Sequence, residues 1–340
     1  MLRAVELAAR GLTTTLPNPV VGCVLLDASG EPVGEGWHEQ PGGPHAEVAA
    51  LAAAGDHARD GTAVVTLEPC THTGRTQPCV DALIAAGVTR VVVGVRDPWQ
   101  TAAGGAERLR ELGVDVELGL EGAAAEAVNR VWLTAVRRGR PYVTWKLAST
   151  LDGRVAAADG SSRWITGPEA RADAHELRAR CDTVLVGVGT VLADDPQLTV
   201  RLADGATVER QPLRVVADTN GRVPQDARVR DDQADTWVAT GSEVGSGSDG
   251  RLDLSRLMTM LYERERRHVL LEGGPQLATA MVAAGLVDSV VAYLAPALLG
   301  DGPAALGSIG GTSLSEALRL DLVDVRRVGP DVRIEAHRAH

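Results

Sequence analysis

The sequence predicts two α/β domains in tandem, the first a three-layer α/β domain. Three observations carry this expectation. The chain has 340 residues, too many for one ordinary core, and is 44% hydrophobic and 23% charged, a globular balance. Apolar runs of strand length alternate with helix-periodic segments in both halves, the pattern of helices packed on sheets. Between the halves, Arg137-Arg138-Gly139-Arg140-Pro141 gathers charge, glycine and proline, which puts a boundary between domains 1–140 and 141–340.

Residues 2–11 read as an Ala/Leu-rich helix closed by Gly11, and the prolines of 13–19 force a loop. A buried strand over 20–26 turns at 27–30 into a second over 33–37. Pro41-Gly42-Gly43-Pro44 delivers His45 to the start of a helix reaching 54. A strand follows over 63–67. Pro69-Cys70 is expected to open one helical turn, and Cys79 a helix over 80–86 closed by Gly87. A strand at 88–95, a helix at 107–112, a strand at 114–118 and one helix over 121–138 complete this half.

In the second half the pattern predicts strands at 142–148, 183–189, 213–217, 236–239, 268–271 and 289–294. Helices are expected at 168–180, 254–264 and 275–284. Gly/Ser-rich 241–250 reads as a flexible surface loop without chemistry. Gly187-Val188-Gly189 lacks the third glycine of a dinucleotide fingerprint. Gly273-Gly274, between a strand and a helix, is the better place for a cofactor phosphate, because bare N–H groups at a helix N-terminus attract anions. A plain tight turn would use glycine there too.

With 34 basic and 45 acidic residues the formal charge is -11, which argues against nucleic-acid or membrane-surface binding. An anionic ligand then depends on a few placed arginines, and Arg178 and Arg201 stand apart from any basic run. No signal-like start or long apolar run is visible, so a soluble cytosolic protein is expected. Cys23 and Cys181 fit that compartment as buried thiols.

The other two cysteines point to metal. His45, Cys70 and Cys79 supply the nitrogen and sulfur donors that suit Zn²⁺, and three protein ligands leave a fourth position for water. Glu47 is close enough in sequence to shuttle that water's protons without being a ligand. His-x-Glu followed by Pro-Cys resembles the pattern of zinc nucleobase deaminases, but eight residues, not two, separate these cysteines. The insert 71–78, with His72, Arg75 and Thr76, could grip substrate; alternatively His72 closes a purely structural site.

Asn18-Pro19, Pro44-His45-Ala46-Glu47 and Thr66-Leu67-Glu68-Pro69-Cys70 through Cys79 resemble the deaminase half of the bifunctional deaminase/reductase family of riboflavin biosynthesis. Trp145-Lys146-Leu147-Ala148, Ser162-Arg163-Trp164-Ile165-Thr166, the run from Gly189 to Arg201, and Leu271-Glu272-Gly273-Gly274-Pro275 resemble its reductase half. The resemblance covers nearly the whole chain. It implies a cytidine-deaminase-like domain, a dihydrofolate-reductase-like domain using NADPH, a phosphorylated pyrimidine substrate and a homo-oligomer, dimer or tetramer. It puts Asn18 on the deaminase substrate. Ala148, Trp164, Thr190, Asp194, Thr219, Gly274, Pro275, Gln276, Leu277, Ala278, Thr279 and Ala280 would meet the cofactor. Ser162, Arg178, Leu198, Arg201 and Glu272 would meet the reductase substrate, with Lys146 and Asp194 able to polarise or protonate it. Gln77-Pro78 replaces the family's usual Pro-Pro, and 239–251 is shorter than in many relatives, which bears on the adenine side of the cofactor site. The competing readings are a deaminase of another pyrimidine with a non-reducing second domain, and a zinc-stabilised interaction module.

Overall fold

The computed structural model describes residues 1–339 apart from 73–76, 202–207 and 209. It divides into two compact units, Met1–Gly139 and Arg140–His340.

The first unit runs α1 (Leu2–Ala9), β1 (Gly22–Leu26), β2 (Pro32–Trp37), α2 (Ala46–Ala54), β3 (Thr62–Leu67), α3 (Cys79–Ala85), β4 (Arg90–Val95), α4 (Gly105–Glu111), β5 (Asp115–Leu118), α5 (Gly122–Val128) and α6 (Arg130–Arg138). Its sheet has the order β2-β1-β3-β4-β5, antiparallel through β1 and parallel from β3 onward. The core between α2, α3 and the sheet uses small and branched side chains such as Ala46, Ala50, Val65, Leu83 and Val93. Small residues let the backbones close up: a Cβ on Gly36 would lie 2.4 Å from the Ala46 carbonyl oxygen. The glycines of β2 thus seat α2, and with it Glu47, hard against the sheet.

Two expectations fail here. Pro69-Cys70 opens no helical turn; the segment is irregular, and Gly105 packs so tightly on it that a Cβ would sit 1.9 Å from the Pro69 carbonyl oxygen. The single helix over 121–138 is two helices broken at Asn129, whose buried Oδ1 accepts a hydrogen bond from the Val20 N–H at 3.2 Å. That bond ties the break to the segment after Asn18, a side-chain partnership in competition with uninterrupted helix.

The second unit runs β6 (Tyr142–Thr150), α7 (Pro168–Ala179), β7 (Thr183–Gly187), α8 (Val188–Asp194), β8 (Leu213–Ala217), β9 (Thr236–Ala239), α9 (Gly241–Val244), α10 (Leu254–Glu263), β10 (His268–Leu271), α11 (Pro275–Ala283), β11 (Ser289–Ala295), β12 (Leu320–Val328) and β13 (Asp331–Arg338). Its sheet has the order β12-β13-β11-β6-β10-β7-β8-β9, parallel from β11 to β9 and antiparallel at β12 and β13. Leu257, Met258, Leu261 and Met281 fill one side, doing the work Phe does in other cores. The strand expected over 183–189 stops at Gly187, where α8 begins. The stretch 241–250 is not featureless: α9 opens it and Ser246 bridges to Leu252. Sequence patterning missed the hairpin of β12 and β13, because the register shifts between Leu322 and Asp324 and breaks the two-residue alternation. Among the described residues no helix is long and apolar enough to cross a membrane.

Candidate active sites

Three backbone elements converge on the metal-like cluster: the residue capping α2 supplies His45, the irregular segment after β3 supplies Cys70, and the first residue of α3 supplies Cys79. Their ligand atoms all lie within 4.8 Å of one another, with His45 Nδ1 3.1 Å from Cys79 Sγ and 3.5 Å from Cys70 Sγ. Zn–S bonds of about 2.3 Å and Zn–N bonds of about 2.0–2.1 Å put tetrahedral ligands about 3.6 Å apart, so this donor set fits one zinc ion. Hydrogen bonds from Cys79 and His45 hold the Cys70 thiol well below the ordinary range, which favours the thiolate a metal needs. His72 is not part of the cluster.

His45 and Cys70 of the cluster line a cavity of about 120 Å³, together with Asn18, His38, Glu47, Glu68, His72, Asp97, Trp99 and Trp132; Cys79 lies behind them, fully buried. Glu47 is buried, and burial pushes its carboxyl above the usual carboxylate range, as suits a group that must gain and lose a proton. His38 lies between Pro44 and Asn18. Its Nδ1–H donates to the Pro44 carbonyl at 2.9 Å, and its Nε2 then accepts from the Asn18 amide at 3.0 Å. Burial also lowers the His38 pKa, consistent with this neutral form. The Asn18 amide is thereby oriented, with its oxygen left for a ligand. Glu68 accepts from the backbone N–H groups of Asp97 at 3.0 Å and Ala106 at 2.8 Å, fixing the far wall. Arg75 and Thr76 lie outside the described residues. His38, Asp97, Trp99 and Trp132 carried no local sequence signal; only the fold brings them to the cavity.

The second unit holds a cleft of about 1540 Å³ along the C-terminal ends of its parallel strands, where open α/β sheets bind ligands. Ligand pockets commonly measure about 300–1,000 Å³, so a dinucleotide and a second molecule can share it. Leu271 pairs with Trp145, so the next residues, Glu272 and Lys146, emerge side by side into the cleft. Arg178 grips Glu272 from α7 with Nε to Oε1 at 2.8 Å and Nη2 to Oε2 at 3.0 Å, while its Nη1 donates to the Thr199 carbonyl at 2.6 Å. Burial would raise the Glu272 pKa, but Arg178 and Lys146 overcome it and hold the carboxyl at about 2. Burial draws Lys146 below the usual ammonium range, against the pull of Glu272.

Gly273 and Gly274 lead into α11 along the cleft, and the Gly274 N–H donates to Thr190 Oγ1 at 3.3 Å. A Cβ on Gly273 would stand 2.8 Å from Leu277 Cδ2, so that turn admits no side chain without a shift. This bare backbone at a helix start fits a cofactor phosphate. Ala148, Ser162, Asp194, Thr219, Pro275, Gln276, Leu277, Thr279 and Ala280 also line the cleft. Trp164, Arg178, Leu198, Arg201 and Ala278 do not. Leu198 and Ala278 are buried, Trp164 is exposed beneath Arg171, and Arg201 is exposed with its backbone N–H on His175 Nδ1. Asp249, expected in an idle loop, lies on the cleft wall with Arg222 and Arg251.

A zinc-dependent deaminase unit joined to a nucleotide-cofactor reductase unit is the class these two sites define. Residues 1–95 match the cytidine and deoxycytidylate deaminase zinc-binding region, and residues 141–334 match the RibD C-terminal domain. The chain belongs to the RibD family, bifunctional deaminase/reductase enzymes of riboflavin biosynthesis that use Zn²⁺ and NADPH. It is 45% identical to the riboflavin biosynthesis protein RibD of Escherichia coli over 98% of this chain and 96% of that one. It is 46% identical to that of Mycobacterium tuberculosis over 97% and 94%. Among solved structures it is similar to Acinetobacter baumannii RibD, with a TM-score of 0.90, 38% identity and coverage of 100% of this chain and 98% of that one. A diaminohydroxyphosphoribosylaminopyrimidine deaminase/5-amino-6-(5-phosphoribosylamino)uracil reductase from Thermotoga maritima gives 0.88, 35%, 100% and 97%.

Proposed function

We propose that a first domain, residues 1–140, hydrolyses the amino group of a diaminopyrimidine carrying a phosphoribosylamino chain, and that a second domain, residues 141–340, reduces the ribosyl group of the product to ribityl. The observation that carries this is the convergence of His45, Cys70 and Cys79 within 4.8 Å of one another, beside a cavity that His45 and Cys70 share with buried Glu47. Zinc held by those three residues supplies Lewis acidity, which brings deprotonation of water near neutral pH. Glu47 carries both protons of the attacking water in turn, the first to the ring nitrogen and the second, from the hydroxyl formed on the carbon, to the amine that leaves as ammonia when the carbonyl forms. Asn18, oriented by His38, accepts a hydrogen bond from the pyrimidine, and His72 on the insert contacts the substrate beside it.

In the cleft NADPH supplies the hydride for C1 of the ring-opened ribosyl group. Lys146 delivers the accompanying proton, with Glu272 and Arg178 fixing its position, and Asp194 orients the reacting group. Ala148, Thr190, Thr219, Gly274, Pro275, Gln276, Leu277, Thr279 and Ala280 hold the cofactor, and Ser162 holds the substrate. The protein is a cytoplasmic homo-oligomer in this reading. Four unpaired, buried cysteines support a reducing compartment. The edge strand β12, with Leu322 66% and Val323 53% exposed, supports burial against a second copy.

The purified chain tests this directly. Elemental analysis should find one zinc per chain, and the pyrimidine should release ammonia. A chelator should stop that release while NADPH oxidation continues on supplied deaminated intermediate. Absence of zinc, or no NADPH oxidation with that intermediate, overturns the reading.

A further inference from the structure

The far end of the cleft is built around Thr219, beyond the strand β8. Two arginines flank it. Arg222 is tied to the same turn, its Nε 3.9 Å from Asp218 Oδ1. Arg251 is brought in from the opposite side by a compact loop: Thr219 Oγ1 accepts from the Leu252 N–H at 3.1 Å, and the Gly247 N–H donates to the Arg251 carbonyl at 2.8 Å. Both arginines, Thr219 and Ser255 line the cleft.

Among the described residues neither guanidinium has an acceptor within hydrogen-bond distance. The nearest carboxylate oxygens stand at 3.9 Å for Arg222 and 4.0 Å for Arg251, beyond hydrogen-bond reach, and the side chains are 58% and 73% exposed. This contrasts with Arg178 and Arg214, whose donors are occupied by close acceptors. Against them stand Asp249 and Asp253 on the same wall. Asp253 is occupied, its side chain capping α10 through the Arg256 N–H at 2.9 Å. Asp249 Oδ1 accepts from the Arg251 N–H at 3.0 Å, which spends that oxygen on shaping the loop. Two guanidiniums without a close acceptor, with Asp218 and Asp249 at the edge of ion-pair range and Asp253 already bonded, can turn their forks to a dianion in a chain of net charge -11.

We propose that Arg222 and Arg251 bind the 2′-phosphate of the nicotinamide cofactor and thereby set its preference for NADPH over NADH. The inference rests on the cofactor reading of this cleft, in which Gly273-Gly274 takes the pyrophosphate near the nicotinamide end and the adenosine lies toward Thr219. An adenosine bearing only a 2′-hydroxyl would leave both guanidiniums in water, as they are without ligand, and gain little from them. A 2′-phosphate offers each a charge-assisted, forked contact. The short 239–251 segment therefore does not weaken the adenine side; it carries one of the two cations that recognise it.

The test uses the zinc-loaded full chain and titrates 2′,5′-ADP and 5′-AMP by calorimetry, beside KM for NADPH and NADH. The wild type should bind 2′,5′-ADP at least about a hundredfold more tightly than 5′-AMP, as expected for two charged hydrogen-bonded contacts on a partly solvated wall. Arg222→Ala or Arg251→Ala should each lose about tenfold of that preference, and the double variant nearly all of it. Affinity for 5′-AMP should move less than about twofold, which also reports that the variants are folded; lysine at either position should restore part of the loss. Failure of the wild type to prefer 2′,5′-ADP would overturn the NADPH reading of the cleft itself. A wild-type preference that persists undiminished in the double variant would leave that reading intact and remove these arginines from it.

Discussion

The two sites solve opposite problems. The deaminase cavity is small, about 120 Å³, and its reactive groups come from the starts of two helices and the short segment between them. The reductase cleft is more than ten times larger, and its lining comes in short runs from β6, the ends of β7, β8 and β10, the starts of α8, α10 and α11, and residues 303–308. A reaction that turns on one activated water needs an enclosed pocket with a few close donors. Hydride transfer between two molecules needs length, because cofactor and substrate must lie end to end with only their reacting atoms in register. Concentrated chemistry and distributed binding should respond differently to substitution.

The sharpest separation is at Glu47. Glu47→Gln keeps the volume but removes the proton carrier, so ammonia release should fall by about 10³-fold at unchanged zinc content. NADPH oxidation on deaminated intermediate should not change. A comparable loss of both activities in folded protein would break the contrast between the units. Next comes Glu272→Gln, which withdraws the charge that Arg178 and Lys146 face. Reduction should fall by about 10²-fold while ammonia release stays at the wild-type rate, because a partner charge is left in a dry place. Equal losses in both assays would mean the variant unfolds the chain.

The smallest effect concerns pH. His268 is buried beside Thr144, Cys181, Tyr142 and the Arg180 carbonyl, and burial lowers its pKa to about 4 despite Asp288 and Glu335. Its stabilising contribution is therefore whole above the ordinary value near 6.5 and is lost as pH falls toward 4, because only the unfolded chain takes up the proton over that interval. The loss is about 3 kcal/mol at most. Urea unfolding of the second unit at pH 7 and 5 should show it, and in His268→Gln the slope should flatten.

Sequence carried the first site almost whole, because its ligands lie within one stretch and their chemistry is distinctive. The ligand atoms of His45, Cys70 and Cys79 lie within 4.8 Å of one another, and Glu47 lines the adjoining cavity. His38 and Asn129 could not be read, since their partners, Pro44, Asn18 and Val20, are set by how β2 and α6 pack and not by spacing. The same reason hid Arg222 and Arg251, which are ordinary surface arginines until β8 and the loop before α10 bring them to Thr219. Regular strands with clear alternation or continuous apolar runs, such as β8, β9 and β10, were legible to the residue. The hairpin of β12 and β13 was not, because a bulge shifts the phase of its pattern.

Glu68 ties the pocket of the first unit to the sheet beneath it. Both its oxygens are bound by backbone N–H groups 29 and 38 residues further along the chain, in the stretch that carries Asp97 and Trp99 past the cavity. Those donors reach it only after β3 and β4 have paired and the chain has turned back. Closing so long a loop is entropically uphill until the sheet has been formed to reward it. The shape of the pocket therefore rests on the β3–β4 pairing beneath it.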